Sequence, residues 1–139
     1  MRLPLARKSA KLRAMTAATI PGDVRRFLLA TIPTVPHLEA LLLLRGRQED
    51  WPLALLANRL YVDAANARAL LDDLAAAALV TASDTGYRYA PADADVATTV
   101  DTLAALYGRQ TVAVAELIHS SSDRKAQRFA DAFRLRKES

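Results

Sequence analysis

The sequence contains no cysteine and only two histidines. The absence of cysteine excludes a disulfide framework, a thiolate metal site and a cysteine nucleophile. His37 and His119 stand 82 positions apart, so neither the HxxxH nor the HExxH spacing of a metal site is present. The four glycines form no phosphate-binding loop. We therefore expect neither an enzyme nor a cofactor.

Long hydrophobic runs are also missing. The longest, LLLL at 41–44 and LAAAALV at 74–80, are far shorter than the roughly 20 residues that a membrane-spanning helix needs. The first 30 residues contain no compact apolar core of a signal peptide. With 139 residues, of which 52% are hydrophobic and 24% charged, we expect a globular protein of the cytoplasm without membrane contact.

Positive charge is concentrated at the two ends of the chain. The net charge is +4, and residues 1–13 carry five basic residues and no acid. Residues 123–139 carry six basic residues against three acids, whereas residues 32–122 carry six arginines against eleven acids. A basic balance favours an acidic partner such as nucleic acid. The acidic middle weakens that interpretation for the centre of the chain.

Residues 1–20 are interpreted as a basic arm or a partly helical extension. An acid-free basic segment of this kind is typical of a loose arm, of a solvated end, or of a mitochondrial transit peptide. As an arm it would contact phosphates, and its binding would depend strongly on salt. The candidate phosphate contacts are Arg7, Lys8, Lys11 and Arg13.

Hydrophobic periodicity predicts six helices and one hairpin. The predicted helices cover residues 21–33, 36–47, 49–60, 62–79, 92–120 and 123–137. Asp50 and Asp63 are predicted to cap the third and fourth helices, and Gly108 is a candidate bend. The segment SDTG at 83–86 supplies turn residues between two short strands rich in β-branched and aromatic residues, which predicts a hairpin over 80–90.

Residues 56–80, LANRLYVDAANARALLDDLAAAALV, resemble the helix-turn-helix of MarR-type winged-helix transcription regulators of bacteria. The resemblance covers about a fifth of the chain closely. It departs from the family pattern at Tyr61 and Ala78, where that family often has glycine. The matching positions are Leu56, Ala57, Leu60, Val62, Asp63, Leu70, Leu74, Leu79 and Val80.

This resemblance implies a mainly α fold with a winged helix-turn-helix, a two-stranded β-hairpin wing and C-terminal helices. It implies a winged-helix domain over residues 21–91 and a helical extension over residues 92–139. It also implies double-stranded DNA as the partner and transcription regulation as the function. The helix that follows Asp63 would then enter the major groove.

The residue types along that helix decide how DNA would be contacted. Asn66 and Arg68 are the side chains that can hydrogen-bond to base edges, and otherwise they are ordinary solvent-facing residues. Arg59 would meet a phosphate, or else pair with Asp63 or Glu49. The remaining DNA candidate, Arg88, would reach the minor groove, or else occupy the solvated side of the hairpin. The alternative function is a winged-helix protein-interaction module without DNA binding, which the acidic middle and the alanine-rich helix face favour.

A heptad-like apolar seam runs along the segment that follows the hairpin. It can form a symmetric dimer interface beside the last helix, and we expect a homodimer. It can also be the side that packs on the rest of the chain. The seam consists of Val96, Val100, Leu103, Tyr107, Val114 and Leu117.

Overall fold

The computed structural model describes residues 20–138, with side chains up to residue 132. This part is mainly helical and contains one two-stranded antiparallel sheet, which confirms the predicted class at that level. Residues 1–19, and with them Arg7, Lys8, Lys11 and Arg13, lie outside the described residues. The elements are α1 (Gly22–Thr31), α2 (Val35–Gly46), α3 (Leu53–Leu60), α4 (Ala64–Ala76), β1 (Val80–Ser83), β2 (Gly86–Tyr89), α5 (Ala94–Arg109) and α6 (Thr111–Glu138).

Helix α2 is packed against four of the other elements. Its leucines Leu38, Leu41 and Leu44 are fully buried, and α2 contacts α3, α4, β2 and α6. A helix with leucine on more than one side must be covered from more than one direction. Thr34 begins the helix, because its side chain accepts a hydrogen bond from the backbone N–H of His37 at 3.4 Å.

Helices α3 and α4 meet at a tight corner on one side of α2. Tyr61 ends α3 with a left-handed backbone (φ 58°), and the N–H of Val62 returns to the carbonyl of Ala57 at 3.1 Å. The predicted cap of α4 is confirmed, since Asp63 accepts from the N–H of Asn66 at 2.7 Å. Helix α4 ends at Ala76 rather than at 79, because the chain turns through a left-handed residue at Ala78 (φ 61°).

The hairpin follows α4 directly and packs back against α2. Val80 pairs with Tyr89 and Ser83 with Gly86, so that only residues 84 and 85 form the loop. Trp51 adds an isolated antiparallel bridge on the other side of β2, where it pairs with Tyr87.

The predicted helix cap at Asp50 is wrong because of the bridge between Trp51 and the hairpin. Trp51 is extended, as its bridge to the hairpin requires, so α3 begins only after Pro52 and has no side-chain cap. Asp50 bonds instead to the hairpin.

Helices α1, α5 and α6 form the other side of the core, where α6 contacts α2 and α1 packs on α5 and α6. The helix predicted over 92–120 is broken at Gln110, whose backbone (φ −132°, ψ 51°) leaves the helical region. The predicted gap between 120 and 123 is absent, because α6 runs through it. The break lets both helices turn their apolar faces into one core, which contains residues from Ile20 to Ile118 and is continuous across residue 91.

No single helix in the part of the chain that the structure describes has both the length and the apolar character to cross a membrane. Helices α1 and α2 meet these requirements only when taken together, as a pair bent by 112°.

Gly86 is required by a close approach as well as by its backbone angle. Its φ is +142°, and a Cβ placed there would lie 2.0 Å from the Trp51 carbonyl oxygen. We expect Gly86→Ala to lower the free energy of unfolding by about 2–4 kcal/mol, because strain and overpacking act together. Urea unfolding measures the change. Gly46→Ala is the matched control, because no atom lies within 4 Å of a Cβ there, and a similar loss in that variant would contradict the explanation.

Ala78 adopts a left-handed backbone without being glycine. Such a conformation costs about 1–2 kcal/mol for a residue with a Cβ. A new glycine removes this cost, but it also lowers the free energy of unfolding by about 0.4–1 kcal/mol, because it increases the conformational entropy of the unfolded chain. We therefore expect Ala78→Gly to raise the free energy of unfolding by up to about 1 kcal/mol. Ala77→Gly, at an exposed position with a φ of −84°, is expected to lower it instead. Equal effects of the two variants in thermal or urea unfolding would refute the strain at Ala78.

Candidate functional site

An exposed surface surrounds the corner between α3 and α4. Its alanines lie on the side of α4 opposite the buried Ala67, Leu71 and Leu74. Tyr61, at the tip of the corner, is 94% exposed. We call it the corner surface, and its residues are Arg59, Tyr61, Ala65, Asn66, Arg68 and Ala69.

The two polar side chains of α4 stand on either side of its alanine face. Asn66 and Arg68 are both exposed and two positions apart, which turns their side chains about 200° from one another around the helix. Ala65 and Ala69 lie between them on the outward side. The first half of the helix therefore presents an alanine ridge with one hydrogen-bonding group on each flank, and the exposed Asp72 follows on the outward side one turn later.

The arginines of the acidic middle divide into paired and unpaired ones. Arg45 pairs with Asp101 at 2.9 Å, Arg47 pairs with Glu49, and Arg88 pairs with Asp50 at 3.1 Å. Within the described part of the chain, the arginines of this segment without an ion pair are Arg59, Arg68 and Arg109.

Two of these three unpaired arginines belong to the corner surface. Arg59 pairs with neither Asp63 nor Glu49, because Asp63 caps α4 and Glu49 holds Arg47.

Arg88 forms an ion pair with Asp50, the residue before Trp51. Its Nε donates to Asp50, and the hydroxyl of Thr85 donates to the other oxygen of that carboxylate at 2.7 Å. The hydrogen bond from Thr85, together with the charge of Arg88, holds the pKa of Asp50 below its usual value. The positive charge expected from Arg88 is thus balanced by Asp50.

The two adjacent acids of α4 face its neighbours. The hydroxyl of Tyr87 donates to Asp72 at 2.8 Å, and Nε2 of His37 lies 2.8 Å from Asp73. The second ring nitrogen of His37 lies 2.6 Å from the hydroxyl of Thr34. Because a carboxylate only accepts, Nε2 of this buried histidine donates to it. Both acids are therefore tied to side chains outside α4.

These contacts were not visible in the sequence. His37 and Asp73 are separated by 36 positions, and Tyr87 and Asp72 by 15. The backbone of Trp51 bridges to the hairpin, and its indole N–H donates to the carbonyl of Arg47 at 2.8 Å. The only available signal was the lone histidine inside an apolar helix, which needs a polar partner when buried.

The predicted dimer seam packs inside the chain. Val100, Leu103, Val114 and Leu117 are buried against the other helices of the same chain. Val96 and Tyr107 are half-buried on that core, and the hydroxyl of Tyr107 lies 3.4 Å from Glu39. Of the two roles open to the seam, the structure places its residues in the chain's own core, where they are covered from a second copy.

Helix α6 also leaves apolar side chains exposed, with Val112 near its start and Phe129 farther along. From residue 122 to residue 132 every side chain is exposed, and Phe129 is 74% exposed. Lys125 is the one member of this stretch with a described bond to the body, since its Nζ donates to the carbonyl of Leu29 at 3.1 Å.

The described residues contain no cluster of three or more His, Asp or Glu side chains that could hold a metal ion. Comparison with protein-family models, with curated proteins and with solved structures finds no match to the chain. The functional assignment therefore depends on the residues of the corner surface and their surroundings.

Two tyrosines of β2 differ in how their hydroxyls are satisfied. The hydroxyl of Tyr87 bonds to Asp72, whereas the hydroxyl of Tyr89 is buried without a partner among the described residues. We expect Tyr87→Phe to lower the free energy of unfolding by about 1 kcal/mol and Tyr89→Phe to leave it unchanged or raise it. The reverse order in urea unfolding would contradict this difference.

The same two tyrosines affect stability in alkaline solution. Burial raises the pKa of both above the ordinary 10.0, helped at Tyr87 by Asp72 and at Tyr89 by Asp101. A raised folded-state pKa contributes stability that is complete below pH 10 and is lost as the pH rises through that pKa. The wild-type chain should therefore lose stability above pH 10 faster than Tyr89→Phe does.

Proposed function

We propose that this chain is a winged helix-turn-helix protein that binds duplex DNA in transcription control. The order α2, Trp51 bridge, α3, corner, α4, hairpin supports the winged arrangement. Left-handed residues at Tyr61 and Ala78, where the resembling family often has glycine, are consistent with the same backbone path. Helix α4 would enter the major groove with its alanine ridge first.

The observation that carries the proposal is the distribution of unpaired arginine. Three of the six arginines in the acidic middle are held by acids, and two of the other three, Arg59 and Arg68, lie on the corner surface. An arginine without an intramolecular partner keeps its full charge for a phosphate or a guanine. The corner surface therefore carries two unpaired positive charges within a segment whose net charge is negative, beside the acidic cap Asp63.

In this proposal each side chain of α4 has a separate role. With Ala65 and Ala69 deepest in the groove, their methyl groups suit thymine methyls. Asn66 and Arg68 would then reach opposite sides of the groove, one suited to adenine and the other to guanine or a phosphate. Arg59, at the end of α3, would contact the backbone and fix the register of the complex.

A protein-interaction module is the second candidate function. It is favoured by the alanine ridge and by Tyr61, which together form an exposed surface of small and aromatic side chains. A homodimer is also part of the proposal. Since the seam of α5 and α6 is covered, its interface would use α6 beyond residue 121, around the exposed Phe129.

Binding of the full chain to a random pool of duplex DNA at low salt tests the first function. We expect Arg68→Ala to weaken binding about fivefold or more and to relax the sequence preference. Arg59→Ala should weaken all sequences alike and reduce the slope of log affinity against log salt by roughly 0.9, as the loss of one phosphate contact does. Arg109→Ala is the matched control, because this arginine is exposed and unpaired but lies on α5.

Two different results would contradict DNA binding by the corner surface. Binding that depends only on residues 1–19, with no effect of Arg59→Ala or Arg68→Ala, would mean that the N-terminal charges act without the corner surface. No binding by the unaltered chain at low salt would reject DNA and favour the protein-interaction function.

A further inference from the structure

Three residues hold the hairpin to the rest of the chain: Asp50, Trp51 and Asp72. The N–H of Trp51 donates to the carbonyl of Tyr87 at 2.8 Å, and the N–H of Tyr87 donates back at 3.0 Å. Gly86 lies directly against the carbonyl group of Trp51. Asp50 holds Thr85 and Arg88, and the hydroxyl of Tyr87 reaches α4 at Asp72.

With these contacts in place, the hairpin has few groups that could bind a phosphate. Its one basic side chain, Arg88, is paired with Asp50. Its loop has two residues, and one of them, Asp84, is an exposed acid. A surface that approaches DNA needs unpaired positive charge, and the described hairpin presents none.

The hydrogen bond from Tyr87 to Asp72 instead connects the hairpin to α4. Asp72 lies on the same helix as Asn66 and Arg68, one turn and more beyond them. The bond crosses from β2 to the C-terminal half of α4, while His37 supports the neighbouring Asp73 from α2. Rotation of α4 about its axis would break both bonds, so the two acids add to the buried residues of the helix in holding the direction in which the alanine ridge points.

We infer that the hairpin of this chain is a brace that orients α4, with Tyr87 and Asp72 as positioning residues, and that it does not contact the DNA itself. This inference rests on the proposed function for its consequence in binding. The brace is a property of the free protein, and it can be measured without DNA.

The first experiment follows amide hydrogen exchange of the full chain in the absence of DNA. We expect Tyr87→Phe and Asp72→Ala to speed exchange in α4 by about fivefold, as the loss of one hydrogen bond does, while α5 changes less. Asp72→Asn keeps an acceptor for the tyrosine hydroxyl and should stay close to wild type. Among the amides that exchange by local opening rather than through global unfolding, a rise that is equal in α4 and α5, or absent in α4, would overturn the brace.

The second experiment measures affinity for duplex DNA against salt. We expect Tyr87→Phe and Asp72→Ala to weaken binding without changing the salt slope, and the double variant to be no weaker than either single one, because both remove the same bond. Arg88→Ala should leave the slope unchanged. A slope reduced by roughly 0.9 in Arg88→Ala would identify a phosphate contact and overturn the second half of the inference.

The proposed DNA binding and the bracing role of the hairpin can be rejected independently of each other. If the unaltered chain binds no DNA, the proposed function fails, and the exchange measurement still decides whether the hairpin braces α4. If the chain binds DNA but Tyr87→Phe leaves both exchange and affinity unchanged, the brace alone is rejected.

Discussion

Burial of α2 from several directions is the constraint on which the structure depends. Its leucines Leu38, Leu41 and Leu44 are fully buried, and the helix is contacted by α3, α4 and the hairpin as well as by α6. The free energy gained by hydrophobic burial is roughly proportional to the apolar area removed from water. Packing on α2 is therefore favourable both for α3, α4 and the hairpin and for α6. The C-terminal helices thus complete the core of one chain before any second chain is involved.

That constraint explains which parts of the fold could be predicted. The hairpin, the cap at Asp63 and the order of elements follow from local signals, because turn residues, capping groups and strand formers act on their immediate neighbours. The break at Gln110 was missed, since Gly108 is the weaker helix former by intrinsic propensity and yet remains helical. There, packing of two apolar faces into one core outweighs propensity.

The candidate site was predictable only in part. Periodicity identified an apolar seam on α5 and α6, but a period describes the face of a helix and not what covers it. Likewise, the exposure of Asn66 and Arg68 followed from the helix pattern. The pairing of Arg88 with Asp50 joins residues 38 positions apart and depends on the bridge at Trp51, which no local pattern indicates.

The left-handed residues at the two ends of α4 have a further consequence for motion. Tyr61 and Ala78 each hold a backbone conformation that side chains disfavour, and both relax when the intervening segment leaves the body. The free energy required to detach this segment is reduced by the strain released at both ends. Local opening of the helix that carries Asn66 and Arg68 should therefore require less free energy than its buried contacts alone would imply.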